Sequence, residues 1–133
     1  MKPYKVAIKI LAEDKKKRIL LVKRNFPPDK DCWDIPGGRI EDSEDVEIAG
    51  KREFMEETNL DVEIHDFIGS AISEGPNFKV IGLIFTGKIL GGDLKLDGEE
   101  VSDYKWVSKS ELLKQKKLRP QFVKVFKEAG VLK

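Results

Sequence analysis

Apolar and polar residues alternate over 4–12, with Tyr4, Val6, Ile8 and Ile10 on one face, the period-two pattern of a β-strand. The polar run EDKKK separates this segment from RILLVKR at 18–24, so a hairpin is expected. Paired prolines prevent NFPPDKDC from continuing regular structure, and it reads as a surface loop. WDIPGGRI follows as a short strand interrupted by Pro36, Gly37 and Gly38. The period then changes to that of a helix over roughly 44–58. Ser43 is its expected N-cap, Glu44, Asp45 and Glu47 suit its positive end, and Asn59 is its expected left-handed cap. Residues 60–72 read as extended, and 78–90 as a long, largely buried strand. After Gly91-Gly92 and a turn at Asp97-Gly98, EVSDYKWVS forms another strand. SKSELLKQ and RPQFVKVFKEAG are amphipathic helices, the second starting near Pro120. The order is strands, helix, strands, helices: an α/β chain with a mixed sheet, read as one domain over 1–133.

One segment breaks the usual charge rule. The C-terminal turns of the 44–58 helix carry Glu53, Glu56 and Glu57, at the end where cations are favoured by roughly 0.3–1 kcal/mol each. At 100° per residue these three share one stripe, which continues back through Gly50, Ala49 and Val46. Ile48 and Met55 lie on nearly the opposite side, with Phe54 between, so burial on more than one side is expected and the carboxylates should open into a cleft. Clustered carboxylates raise one another's pKa unless a cation joins them. Arg52 can pair with one of them. A hard divalent cation, Mg2+ or Mn2+, suits the whole set, because such ions take oxygen ligands. The helix alone leaves open a second reading, a solvated helix end tied by Lys and Arg.

Composition narrows the field. Charged residues make up 37% of the chain, yet 25 Lys and Arg against 24 Asp and Glu leave a formal +1, which argues against a broad grip on a nucleic acid polymer. DKKKR at 14–18 and LLKQKKLR at 112–119 read as a solvated turn and a solvated helix face. His65 is the single histidine, so neither a zinc centre nor a Ser-His-Asp arrangement is supported. The single cysteine, Cys32, reads as a small buried hydrophobe and allows no internal disulfide. No secretory leader is read at the start and no run approaches the ~20 apolar residues of a membrane helix, so a cytoplasmic protein away from membranes is expected.

From Gly38 to Leu60 the chain reads G-x5-E-x7-R-E-Φ-x-E-E-x-N-L, Φ being apolar. This string resembles the signature of the Nudix hydrolases, with Gly38, Glu44, Arg52, Glu53, Phe54, Glu56, Glu57 and Leu60 in place. Asn59 stands where the family has Gly, and Asn tolerates positive φ. RILLVKR, WDIPGGRIE and EEVSDYKWVSKSEL resemble further family stretches, so the likeness covers roughly 4–115.

The resemblance implies an α/β/α sandwich and hydrolysis of a nucleoside diphosphate linked to a further group, X, with Mg2+ or Mn2+ as cofactor. By matched position it makes Glu56 and Glu57 metal ligands, joined by the Gly37 carbonyl, and Glu53 either base or second-metal ligand. Arg52 would orient Glu53 and bridge to Glu44, although a purely structural salt bridge between Arg52 and Glu44 is compatible. Glu99 or Glu100 would add a ligand or base. Arg24, Arg39 and the Gly38 backbone are candidate substrate contacts. Trp33 and Phe78 could stack on a base or belong to the core. A small-molecule nucleotide is the expected partner, with the protein a monomer or homodimer. A MutT-like triphosphatase is the leading expectation; ADP-ribose hydrolysis, for which Pro76 speaks, and a non-catalytic binding module are the alternatives. Gln121 stands about where some MutT-like members carry a purine-reading Asn.

Overall fold

The N-terminal alternation becomes β1 (Tyr4–Glu13), followed by β2 (Ile19–Arg24), β3 (Trp33–Asp34), β4 (Gly37–Arg39), α1 (Val46–Thr58), β5 (Leu60–Glu74), β6 (Lys79–Gly92), β7 (Val101–Val107), α2 (Lys109–Leu112) and α3 (Pro120–Glu128). This computed structural model describes residues 1–130; the last three positions of the expected domain, 131–133, lie outside them. Among the described residues the seven strands form one sheet in the order β3-β2-β1-β6-β5, with β4 added on β1 and β7 on β2. β1 and β6 run parallel, Tyr4 opposite Lys79 through Glu13 opposite Lys88, and the other pairs are antiparallel. The expected hairpin is present, with Glu13 opposite Ile19. The mixed sheet with helices on both faces is the expected fold class.

Both faces of β1 and β2 are apolar because both are covered. Ile8, Ile10 and Leu20 pack with Phe54 of α1 on one side. Leu11, Ile19 and Leu21 pack with Phe122 and Phe126 of α3 on the other. Full burial of a Phe of this kind is worth roughly 1.5–3 kcal/mol. On the α3 side the N-terminal half of β1 presents Lys5, Ala7 and Lys9 instead of large apolar groups, and these three line a cleft. Among the described residues no helix is long and apolar enough to cross a membrane.

Several sequence expectations need correction. The N-cap of α1 is Asp45, whose carboxylate accepts the Ile48 N–H at 2.9 Å. Ser43 instead takes a left-handed φ of 67° in the preceding turn. Glu44 stays outside the helix because its carboxylate accepts N–H groups of Glu41 and Arg52, at 2.8 and 2.7 Å. Ile48 and Met55 are 57% and 42% exposed, so α1 is buried along one side only, through Ala49, Gly50, Phe54, Glu57 and Thr58. The 108–115 helix shrinks to α2, four residues opened by a Ser108–Glu111 capping box. The segment 112–119 is solvated only in part: Lys114, Lys116 and Lys117 are exposed, but Leu112, Leu118 and Arg119 are buried. Cys32 is half-buried, and β6 runs on through Gly91 and Gly92 with its last residues exposed. Asn59 does take the left-handed cap, φ 62° and ψ 23°, its N–H donating to Met55 O at 2.8 Å. Its side-chain amide also donates to Asp93 O at 2.9 Å, a tie that glycine could not make.

Candidate active site

The site is assembled from three pieces of backbone. β4 pairs with β1, Lys9 opposite Gly37 and Ile8 opposite Gly38, which sets the glycine pair against the sheet. Gly37 has φ 148°, and a Cβ there would meet Ile8 O at 1.9 Å, so no other residue fits. A Cβ on Gly38 would lie 2.2 Å from Glu53 Oε2, which shows how closely α1 approaches β4. The third piece is the segment entering β7, which brings Glu100 to the same cleft.

That cleft encloses about 660 Å³ and is lined by Glu53, Glu56 and Glu57 on one wall. Arg24, Arg39, Lys9 and Arg119 line it from other sides. Glu57 is 4% exposed, and it accepts a long hydrogen bond, 3.4 Å, from Gly37 N–H. Burial pushes its carboxyl up to about 8; the nearby Lys9 ammonium opposes this, while Asp34 and Glu100 reinforce it. Glu53 is also raised, by burial first, with Glu56 and Glu100 adding to the shift and Arg52 working against it. These are the properties of carboxylates placed where charge is unwelcome until a cation arrives.

Arg52 sits at the centre of the remaining bonds. It donates to Glu44 at 2.6 and 2.7 Å, to Glu53 at 3.0 Å and to Glu56 at 3.2 Å, and also to the Arg39 carbonyl at 3.2 Å. The Arg52 hydrogen bonds hold the Glu44 carboxyl down to about 2, helped by the Glu41 N–H. Glu44 and Arg52 are thus brought together behind the cleft and do not line it. Among the described residues no three His, Cys, Asp or Glu side chains already converge as a metal-ligand set. The reason is visible: Glu53 and Glu56 turn towards Arg52, and Glu57 towards Gly37. The donor set still suits a hard cation, since it is all oxygen and includes a buried carboxylate with one long hydrogen bond.

A model of the NUDIX domain matches residues 3–129. The chain belongs to the Nudix family. A crystallised MutT protein from Methanosarcina mazei Go1 is similar, with TM-score 0.85 and 31% identity, covering 96% of this chain and 94% of that one. A Bacillus subtilis (strain 168) protein provisionally named an 8-oxo-dGTP diphosphatase is 37% identical over 103 residues, 77% of this chain. An ADP-ribose pyrophosphatase of Methanocaldococcus jannaschii is 39% identical over 84 residues, 62% of this chain. The matches span 66% and 50% of the lengths of these two curated relatives.

Within this Nudix domain one feature had no sequence signal. Asp34 is fully buried and its Oδ2 accepts from Lys9 at 3.0 Å, Arg119 at 3.2 Å and Arg24 at 3.4 Å. Burial alone would raise its pKa, but the three cations outweigh it and hold the group low. Arg24, the last residue of β2, is 6% exposed, tied to Asp34 and to Pro28 O, and still part of the cleft lining. Arg119, 3% exposed, continues the network to Asp29 and Ser73, the same two groups that the Gln121 amide holds. Gln121 thus spends its amide donor on protein acceptors. Glu100 lines the cleft whereas Glu99 does not, and Phe78 is a half-buried wall residue. Trp33 packs at the edge of the α3-side core.

Proposed function

We propose that this Nudix domain hydrolyses the pyrophosphate linkage of a nucleoside diphosphate joined to X, with a nucleoside triphosphate as leading substrate and nucleoside monophosphate plus pyrophosphate as products. The observation that carries this reading is Glu57, a buried carboxylate with a single long hydrogen bond, opening with Glu53 and Glu56 into a cleft that Lys5, Lys9, Arg24, Arg39 and Arg119 also line. Such a cleft accepts a cation on one side and a polyanion on the other.

Glu56, Glu57 and the Gly37 carbonyl would hold a divalent cation, Mg2+ or Mn2+, and Glu53 either completes that set or accepts the proton of the attacking water. When bound, the cation neutralises phosphate charge and lowers the pKa of water. The raised pKa of Glu53 makes it a better base than an ordinary carboxylate. Glu100, which lines the same cleft, is the other candidate for that proton. Arg52 orients Glu53 through the 3.0 Å bond, and Glu44 anchors Arg52. Arg39, Arg24 and the Gly38 backbone meet the phosphates.

Hydrolysis of ADP-ribose is the second reading. It is favoured by Pro76 in the cleft wall and by the likeness to the Methanocaldococcus jannaschii protein. Product-resolved chromatography with Mg2+ separates the two, run with dNTPs, 8-oxo-dGTP and ADP-ribose. Nucleoside monophosphate plus pyrophosphate from a triphosphate is the expected result. AMP plus ribose 5-phosphate as the sole turnover would move the protein to the second reading, and silence across the panel would leave a non-catalytic nucleotide-binding module.

A further inference from the structure

Phe78 is positioned by backbone, not by core packing. The parallel register sets Lys5 opposite Val80, and the turn entering β6 closes with Gly75 N–H donating to Phe78 O at 3.0 Å. The ring lies at the cleft wall, half-buried. Two cations stand over it: Lys5 Nζ is 4.8 Å and the Arg39 guanidinium carbon 5.2 Å from the ring centre. They come from neighbouring strands, since Arg39 pairs with Ala7, two residues beyond Lys5 on the same face of β1. Cations over a ring face are attracted to it by about 0.5–1 kcal/mol at exposed sites. That is enough to bias where two flexible side chains rest, and weak enough for them to turn to an anion.

The place they occupy matters. Arg39 is one residue from Gly38, which touches Glu53, and its carbonyl is held by Arg52. The pair is therefore beside the carboxylates, and it is exposed, whereas Lys9, Arg24 and Arg119 are buried in the same cleft and already share Asp34. Neither Lys5 nor Arg39 has an acidic side chain as a salt-bridge partner among the described residues. A ring already flanked by two cations is a poor platform for a base and a good mount for charges.

Resting on the pyrophosphohydrolase reading above, we infer that Lys5 and Arg39, mounted on Phe78, bind the negative charge of the X group and select substrates in which X is a phosphate over those in which X is a neutral sugar. The selectivity acts through recognition of the terminal phosphate by charge-assisted hydrogen bonds, with Arg39 able to make two at once.

The test compares kcat/KM for dGTP and for ADP-ribose in the wild type and in Lys5→Gln/Arg39→Gln. The expected result is that the ratio of the two constants falls about tenfold, mostly through KM for dGTP, in line with the loss of a charged hydrogen bond. Lys5→Arg should restore the part owed to Lys5. Phe78→Leu, which removes the mount and keeps the charges, should lower the ratio in the same direction. An unchanged ratio, or equal losses on both substrates as a base-stacking Phe78 would give, overturns the inference. Calorimetric titration with inorganic tripolyphosphate in metal-free buffer keeps the test independent of turnover. There the double variant should bind about tenfold more weakly than the wild type, and equal binding, or none by the wild type, overturns the inference. A wild type that binds tripolyphosphate through these residues yet hydrolyses nothing would defeat the proposed function alone.

Discussion

Glu57→Gln is expected to lower kcat on the order of 10³-fold or more, with circular dichroism and the unfolding midpoint near neutral pH showing an intact fold. Glutamine has the same shape and can still accept the Gly37 N–H, which in the native protein donates to Glu57 across 3.4 Å. It cannot supply the negative charge that a divalent cation needs from its ligands. The substitution is not expected to cost stability near neutral pH, because burial keeps the Glu57 carboxyl protonated there in the metal-free fold and glutamine is a neutral group of the same shape. Activity and stability should therefore separate in this variant. Retained Mg2+-dependent turnover would mean that the metal is held elsewhere.

The second large effect is on stability against pH in metal-free solution. The Glu57 carboxyl has an ordinary value of 4.5 and rises to about 8 in the folded protein. Between those values the folded chain keeps a proton that the unfolded chain has released. Stability from this group is thus complete below pH 4.5 and is lost as pH rises to 8, at about 1.4 kcal/mol per unit. The loss sums to several kcal/mol, and the raised Glu53 acts in the same sense. Glu44, held down to about 2, works oppositely and only in acid. Urea unfolding in EDTA at pH 5 and pH 8 should show the wild type markedly weaker at pH 8, with most of that difference gone in Glu57→Gln. Parallel pH dependence in the two proteins would show that Glu57 is ionised in the apo fold.

What the sequence revealed depended on how local each cause is. The alternation of Tyr4, Val6, Ile8 and Ile10, the start of α3 at Pro120 and the cap at Asn59 are decided by neighbours within a turn or a strand, and each is found in place. The stripe of Glu53, Glu56 and Glu57 is likewise a matter of spacing. The choice of Asp45 over Ser43 as cap was harder, since both are good caps. It turns on Glu44 being drawn to Arg52, eight residues on. Lys9, Asp34 and Arg119 meet across 25 and 85 residues, so no periodicity announces them. Arg119 looked like one more charge in a basic run until the fold closed around it. Ile48 and Met55 misled in the other direction: an apolar side chain on a helix does not require a partner, and single exposed apolar residues are common.

The most direct test of the central claim, that α1 carboxylates hold a divalent cation, is a calorimetric titration of the protein with Mn2+ at pH 7, repeated in buffers of different ionisation enthalpy. Because Glu57 is pushed up to about 8, the carboxyl must give up its proton before it can act as a ligand. Binding should therefore release close to one proton per ion in the wild type, and Glu57→Gln should bind far more weakly without that release. Binding by the wild type with no proton released, or unchanged binding by Glu57→Gln, would contradict the account.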